Sequence, residues 1–309
     1  MNTQSNAMPE TPLDPQVRAP AVISATRRMY WSVRRELWES RSIYIAPLAV
    51  AGLILIGFLI STIHLPDKMR AALALNPMQQ HELIQQPYNF AALLIMGTTF
   101  IVAVFYCLDA LYGERRDRSI LFWKSLPVSD LTTVLSKASI PLVVLPLVTF
   151  AITVLTQWIM LLLSTAVLLG SGVSVAPLWT HLSLFHMSLM LLYHLLAIHS
   201  LWYAPIFGWL LLVSVWARRA PFLWAALPLL AIGVVEKIAF NSSHFAAMLN
   251  YRMGGPAGAA STAGNMSMDS LTQLTVGQFL ISPGLWIGLI VAAAFIAAAV
   301  RLRRYREPI

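Results

Sequence analysis

Cysteine and charge are both scarce in these 309 residues: there is one cysteine, and only 11% of the side chains are charged. A single thiol, Cys107, excludes an internal disulfide and any cysteine-held metal cluster. A soluble domain carries roughly 25% charged residues. The shortage of charge, beside a hydrophobic content of 58%, therefore excludes an ordinary soluble fold. No Gly-Lys pair occurs, so the chain has no phosphate-cradling Gly-x-x-x-x-Gly-Lys-Ser/Thr loop of its own. No internal repeat is visible either, which removes the inverted-repeat signature of many secondary transporters.

What the sequence has instead is long apolar runs. A helix crosses a hydrocarbon core of roughly 30 Å with about 20 residues. Six segments qualify, at 43–63, 89–112, 139–168, 186–216, 220–240 and 283–300. The fourth contains Pro205 and is expected to be one kinked helix, because a separate span over 204–216 is too short and inverts the charge pattern downstream. Pro141 and Pro146 predict a second kink at the start of the third. Even parity puts both termini on one side, and 17 of the 21 Lys and Arg fall on that side. By the positive-inside rule that side is cytoplasmic, which accounts for the net charge of +8 without nucleic acid. Residues 1–21 carry Pro9, Pro12, Pro15 and Pro20 in a polar context and read as a disordered tail, not a signal peptide.

From 22 to 42 the chain reads as an amphipathic helix leading into the first span. Val22, Thr26, Met29, Tyr30, Val33 and Leu37 recur at helical spacing, with Arg28, Arg35 and Glu39 opposite. Arg27 and Arg34 lie at the edge of the stripe, placed to snorkel to headgroups, with Trp38 beside them. An interfacial anchor and a partner-docking element are both open readings. The segment 113–137 is bipartite. A mixed-charge cluster, Glu114, Arg115, Arg116, Asp117 and Arg118, closes the second span. After Leu126 and Pro127, Ser129 or Asp130 caps a short helix through Lys137 whose apolar edge is Leu131, Val134 and Leu135. Such a helix fits a groove on a soluble partner; an ordinary topology loop is the competing reading.

The run from Glu114 to Lys137, with its acidic-basic cluster, Ser-Leu-Pro-Val-Ser and a following lysine, resembles the loop between the second and third spans of type 2 ABC exporter permeases. Six spans, cytoplasmic termini and an amphipathic helix before the first span are similar to that family too. The resemblance implies that Glu114, Arg115 and Arg116 and the stretch from Leu126 to Lys137 are coupling contacts for a separate ATP-hydrolysing subunit. ATP and magnesium are then bound by that subunit, this chain holds no cofactor, and two copies of each subunit assemble. It also implies a bacterial cytoplasmic membrane and a transport subunit rather than an enzyme. The rival from another class is a non-transporting scaffold or sensor that recruits a cytoplasmic partner through the same loop.

Between the fifth and sixth spans, Gly254, Gly255, Gly258 and Gly264 read as a flexible loop. Leu271, Leu274, Val276, Phe279, Leu280 and Ile281 then form a segment too short to span. It resembles the re-entrant element that family members carry before the last span; a surface-lying loop is the other reading. Inside the spans, Asp109 and Glu236 lie near interfaces and are expected to pair structurally, Asp109 with the arginines at 115–118 and Glu236 with Lys237 or water. His186, His194 and His199 sit on the fourth span, the first two on one face, with no acid on that helix, so helix contacts outrank a proton or metal site. His81-Glu82-Leu83-Ile84-Gln85 misses the second histidine of the zinc-protease pattern. The expected fold is thus an all-α integral membrane protein with six transmembrane helices, an interfacial helix and a re-entrant segment.

Overall fold

The computed structural model describes residues 24–125, 128–254 and 276–305, and among these every regular element is helical. Ser24 caps α1 (Ala25–Glu39), its hydroxyl accepting from Arg27 N at 3.4 Å. After a two-residue break at Ser40 and Arg41, α2 (Ser42–Ser61) runs on through a 3-10 turn into α3 (Leu65–Leu73). Asn76 caps α4 (Pro77–Ala110), a helix that starts about three turns before the predicted span. The short helices α5 (Tyr112–Arg116) and α6 (Ser119–Ser125) precede α7 (Asp130–Ser139). A π-helical stretch, Ile140–Val144, joins α7 to α8 (Leu145–Gly170). Pro141, which has no N–H to give, produces the expected irregularity there.

The remaining elements are α9 (Ala176–His181), α10 (Leu184–His194), α11 (Ala204–Trp216), α12 (Pro221–Phe240), α13 (His244–Gly254), α14 (Val276–Ile281) and α15 (Pro283–Tyr305). Six helical stretches are long and apolar enough to cross a membrane: Ser42–Leu73, Pro77–Arg116, Asp130–Gly170, Ala176–Trp202, Pro221–Phe240 and Pro283–Tyr305. Between the fourth and fifth of these lies α11, itself too short to cross. It is the second half of one kinked crossing. Leu184 packs with Ile84 and Leu168 at one end, His199 lies against Phe100 midway, and Ser214 meets Leu111 at the other. A π-helical stretch, Leu195–Trp202, and a bend at Tyr203 separate the halves, so the kink begins before Pro205 and not at it.

α11 occupies the middle of the bundle between α4 and α15. Gly208 permits this: a Cβ there would lie 3.3 Å from the Ala292 carbonyl. Elsewhere the helices are joined by hydroxyls and amides in an apolar interior. Thr99 and Thr149 hydroxyls lie 2.8 Å apart, and Gln157 donates to the Tyr88 carbonyl at 3.3 Å. By contrast α12 buries only Ala225.

The segment read as a flexible loop after the fifth span is partly helical. α13 forms because Glu236 supplies its N-terminal turn with acceptors, taking hydrogen bonds from Ser242 Oγ at 2.7 Å, His244 N at 2.7 Å and Phe245 N at 2.8 Å. The expected Lys237 pairing of Glu236 gives way to this cap. α14 buries Phe279 against Trp202 and Leu285. Both helices are held at the level of Trp202, about 21 Å along the axis from Trp216 at the helical rise of 1.5 Å per residue. The segment expected to be re-entrant or surface-lying is thus helical over Val276–Ile281 and packs at this level. Leu271 and Leu274 lie outside the described residues.

Candidate functional site

At the basic end of the bundle three carboxylates and three cations are interlocked. Lys137, on α7, places its Nζ 2.9 and 3.0 Å from the two oxygens of Glu36 on α1 and 3.2 Å from Glu114 Oε1 on α5. Arg303, on α15, donates to Glu114 Oε2 at 2.7 Å and to Asp130 Oδ1 at 3.1 Å. Arg35 reaches Glu36 at 2.6 Å and Glu114 at 3.3 Å. Tyr106 OH donates to Glu36 Oε2 at 2.9 Å, bringing in α4. Glu36, Glu114, Lys137 and Arg303 are all buried, so their charges are neutralised by one another and not by water. Burial pushes the Glu36 carboxyl up, but Lys137 and Arg35 more than offset this and hold it below the ordinary carboxylate range.

Local geometry explains why these side chains meet. Ser129 accepts from Thr132 N at 3.1 Å, and this cap starts α7 so that Asp130, Val134 and Lys137 share one face. α4 ends at Leu111 because the amides of Leu111 and Tyr112 are taken by Ser214 Oγ, at 2.9 and 2.8 Å, instead of by carbonyls of their own helix. Arg115 then donates to the carbonyls of Val215 and Ala217, closing the last turn of α11. The α5 turn that follows presents Glu114 inward.

The predicted coupling set therefore divides. Glu114, Arg115, Val134 and Lys137 face inward and are occupied within the chain. Leu131 and Leu135 project outward, 52% and 40% exposed, and Ser129 is exposed at the helix start. On α6, Leu121 and Phe122 are exposed as well. Arg116 is exposed and lies 3.8 Å from Asp109, the expected pairing. Leu126 and Pro127 lie outside the described residues.

α1 divides in the same way. Val33 and Leu37 pack on the core and Glu36 is buried between them, while Arg27, Trp31 and Trp38 face out. The Arg34 guanidinium lies 5.1 Å from the Trp31 ring and 5.0 Å from the Trp38 ring, an outward basic-aromatic edge. Arg28 is half-buried and Arg35 turns into the network.

Two members of the network, Glu36 and Arg303, carry a signal that sequence reading passed over. Glu36 falls on the same stripe as Val33 and Leu37, and Arg303 continues the stripe of Leu285, Ala292 and Ala299. A charge on an apolar stripe is the mark of a buried pair. Of the histidines, His186 is exposed at the far end, and His199 is enclosed by Phe100, Tyr203 and Phe207. The π-helical turn puts His194, five residues before it, on the same side. Gln85 donates to the His181 carbonyl at 3.2 Å, and His81 faces the His181 ring, so the protease-like run ties α4 to α9. Compared with known protein families, with curated proteins and with solved structures, the chain finds no match.

Proposed function

We propose that this chain is the membrane-spanning permease subunit of an ATP-driven exporter, with its basic end in the cytoplasm and α6–α7 docked on a separate ATPase. The observation that supports this reading is the arrangement of α7. One of its edges is exposed and apolar, at Leu131 and Leu135. The other is clamped by the buried Lys137 pairs to α1 and α5 and by the partly buried Asp130–Arg303 pair to α15, and continues through a π-helical stretch into the third span. A helix held this way cannot be displaced alone. Force applied to its exposed edge reaches the interfacial helix through Lys137–Glu36, the last span through Asp130–Arg303, and α8 through the backbone. ATP-driven closure of two ATPases would thus tilt three elements together and shift a dimer of this chain between inward-open and outward-open states.

In the mechanism, the chain supplies the path and the lever, and the ATPase supplies ATP and magnesium. Leu121, Leu131 and Leu135 are the contact residues, and the buried network is the transmission behind them. Leu131→Asp with Leu135→Asp tests this. The variant chain should enter the membrane in normal amount, and the ATPase that wild type recruits should be lost from it, because each aspartate places an uncompensated charge in the docking surface. Equal recruitment and equal stimulation of hydrolysis by the variant would contradict the reading.

A further inference from the structure

α1 is amphipathic, but its apolar face is already used inside the chain. Val33 and Leu37 pack on the core, Glu36 is buried between them, and the helix lies along α7. An interfacial helix ordinarily binds by sinking its apolar stripe into the boundary of the acyl chains, and α1 has no such stripe left to offer. What faces out is Arg27, Tyr30, Trp31 and Trp38, with Arg34 half-buried among them. At 3.6 residues per turn these five fall within an arc of about 100°, on the side opposite Glu36. Tyr30, which the sequence groups with the apolar stripe, is 59% exposed. Arg41, exposed in the break before α2, adds a third arginine beyond the last turn. The two acids of α1 lie off this face, Glu36 in the buried network and Glu39 against Arg35 at 3.6 Å.

The face is built and not a loose run of charge. The Arg34 guanidinium lies 5.1 and 5.0 Å from the centres of the Trp31 and Trp38 rings, and Tyr30 meets Trp31 edge-on at 5.6 Å. Ring contacts steady a guanidinium without using a hydrogen-bond acceptor, and its N–H fork matches two phosphate oxygens. Its place in the chain is equally specific. Four residues after Arg41, Ile45 is exposed and apolar, as is Leu48 one turn further on, so the arginines and indoles end where the lipid-facing surface of the first span begins. Indoles and arginines at that boundary stand at headgroup level.

We propose that this face of α1 seats an anionic phospholipid, with the phosphate on Arg34 between Trp31 and Trp38 and the surplus negative charge met by Arg27 and Arg41. Charge complementarity selects the occupant: three cations on one edge favour a headgroup with net negative charge over a zwitterionic one, whose own cation they repel. Because the apolar face of α1 is used within the chain, attachment through this helix depends on headgroup charge and not on insertion among acyl chains. The proposal does not rest on the exporter reading, since the lipid is bound by this chain alone.

The test uses the full chain in detergent with equal amounts of phosphatidylglycerol and phosphatidylcholine of the same acyl chains, and native mass spectrometry reads which lipid is retained first. Wild type should prefer the anionic lipid by about tenfold or more, since one arginine near an anionic headgroup contributes about fivefold. Arg27→Gln combined with Arg34→Gln and Arg41→Gln should bring the two lipids close to parity. A charge-matched control, Arg218→Gln with Arg219→Gln and Arg304→Gln, removes three exposed cations of the same end and should keep the preference. Trp31→Ala with Trp38→Ala, which leaves every charge in place, should lower the preference about threefold through the lost ring contacts. Arg34→Gln alone should lower it about fivefold, and it decides the matter if the triple variant loses its monodisperse peak. No preference in wild type, a preference that survives the triple variant, or an equal fall in the control would each overturn the proposal. Loss of ATPase recruitment by the triple variant with the lipid preference intact would also overturn it and assign this face to the partner. Lipid preference that depends on these arginines in a chain that recruits no ATPase would sink the exporter reading and leave this one standing.

Discussion

Lys137 has three carboxylate oxygens within 3.2 Å and is almost fully buried, so its charge is balanced entirely by protein. Removing it leaves Glu36 and Glu114 buried side by side with less positive charge between them. Lys137→Met should cost about 3–5 kcal/mol, the usual penalty for breaking a buried pair. In the double variant with Glu36→Leu the cost should be less than the sum, because the stranded charge goes too. The temperature at which detergent-solubilised protein loses its monodisperse peak measures both. The same network sets an acid limit. Glu36 is held below its ordinary value of 4.5, so the stability it contributes is present above about that pH and is lost as the pH falls through its lower folded value. Melting temperature against pH should therefore drop below this range, and Glu36→Gln should make the drop shallower; an unchanged acid profile in the variant would count against the assignment. Glu114, Asp130 and Lys137 stand out in the sequence because they sit together in one short charged stretch. Glu36 and Arg303 are legible only as charges on apolar stripes; their partners are not, since Lys137 and Glu114 lie far from them in the chain and only the fold joins the four.

Among the elements, six spans follow from apolar length alone, and hydrocarbon thickness fixes how long they must be. Their kinks follow less directly. Pro205 marks the fourth crossing as irregular, yet the irregularity is a π-helical stretch of eight residues on its N-terminal side, where His199 and Trp202 pack sideways against α4 and α14. α13 was illegible for a different reason. It has little apolar periodicity and owes its start to Glu236, eight residues before His244, through hydrogen bonds that no local pattern encodes. At the α11–α15 contact, Gly208→Leu should cost about 1–3 kcal/mol, because the Ala292 carbonyl leaves no room for a side chain. A thermal shift assay reads this, and a neutral result would mean that the two helices separate more easily than their packing implies. On α7, Ser129→Ala should cost about 1 kcal/mol through the lost cap, visible as weaker retention of the ATPase before any loss of the folded chain.

For the whole molecule, the charge asymmetry predicts orientation. In a Cys107→Ser background, Ser174→Cys at the far end should react with an impermeant maleimide added to intact cells, and Asp117→Cys at the basic end should not; the reverse pattern would invert the topology. Orientation matters because the exporter account requires the exposed edge of α7 to face the compartment that holds ATP. Under the proposed function this end of the bundle works only with a nucleotide-hydrolysing partner. The most direct measurement is to purify the tagged full chain from its native membranes in mild detergent, identify what comes with it, and assay hydrolysis. The expected result is an ATPase subunit in one-to-one ratio, whose activity rises with this chain and falls with Leu131→Asp and Leu135→Asp. A chain that emerges alone, or with a partner that has no nucleotide site, contradicts it and brings the scaffold reading forward.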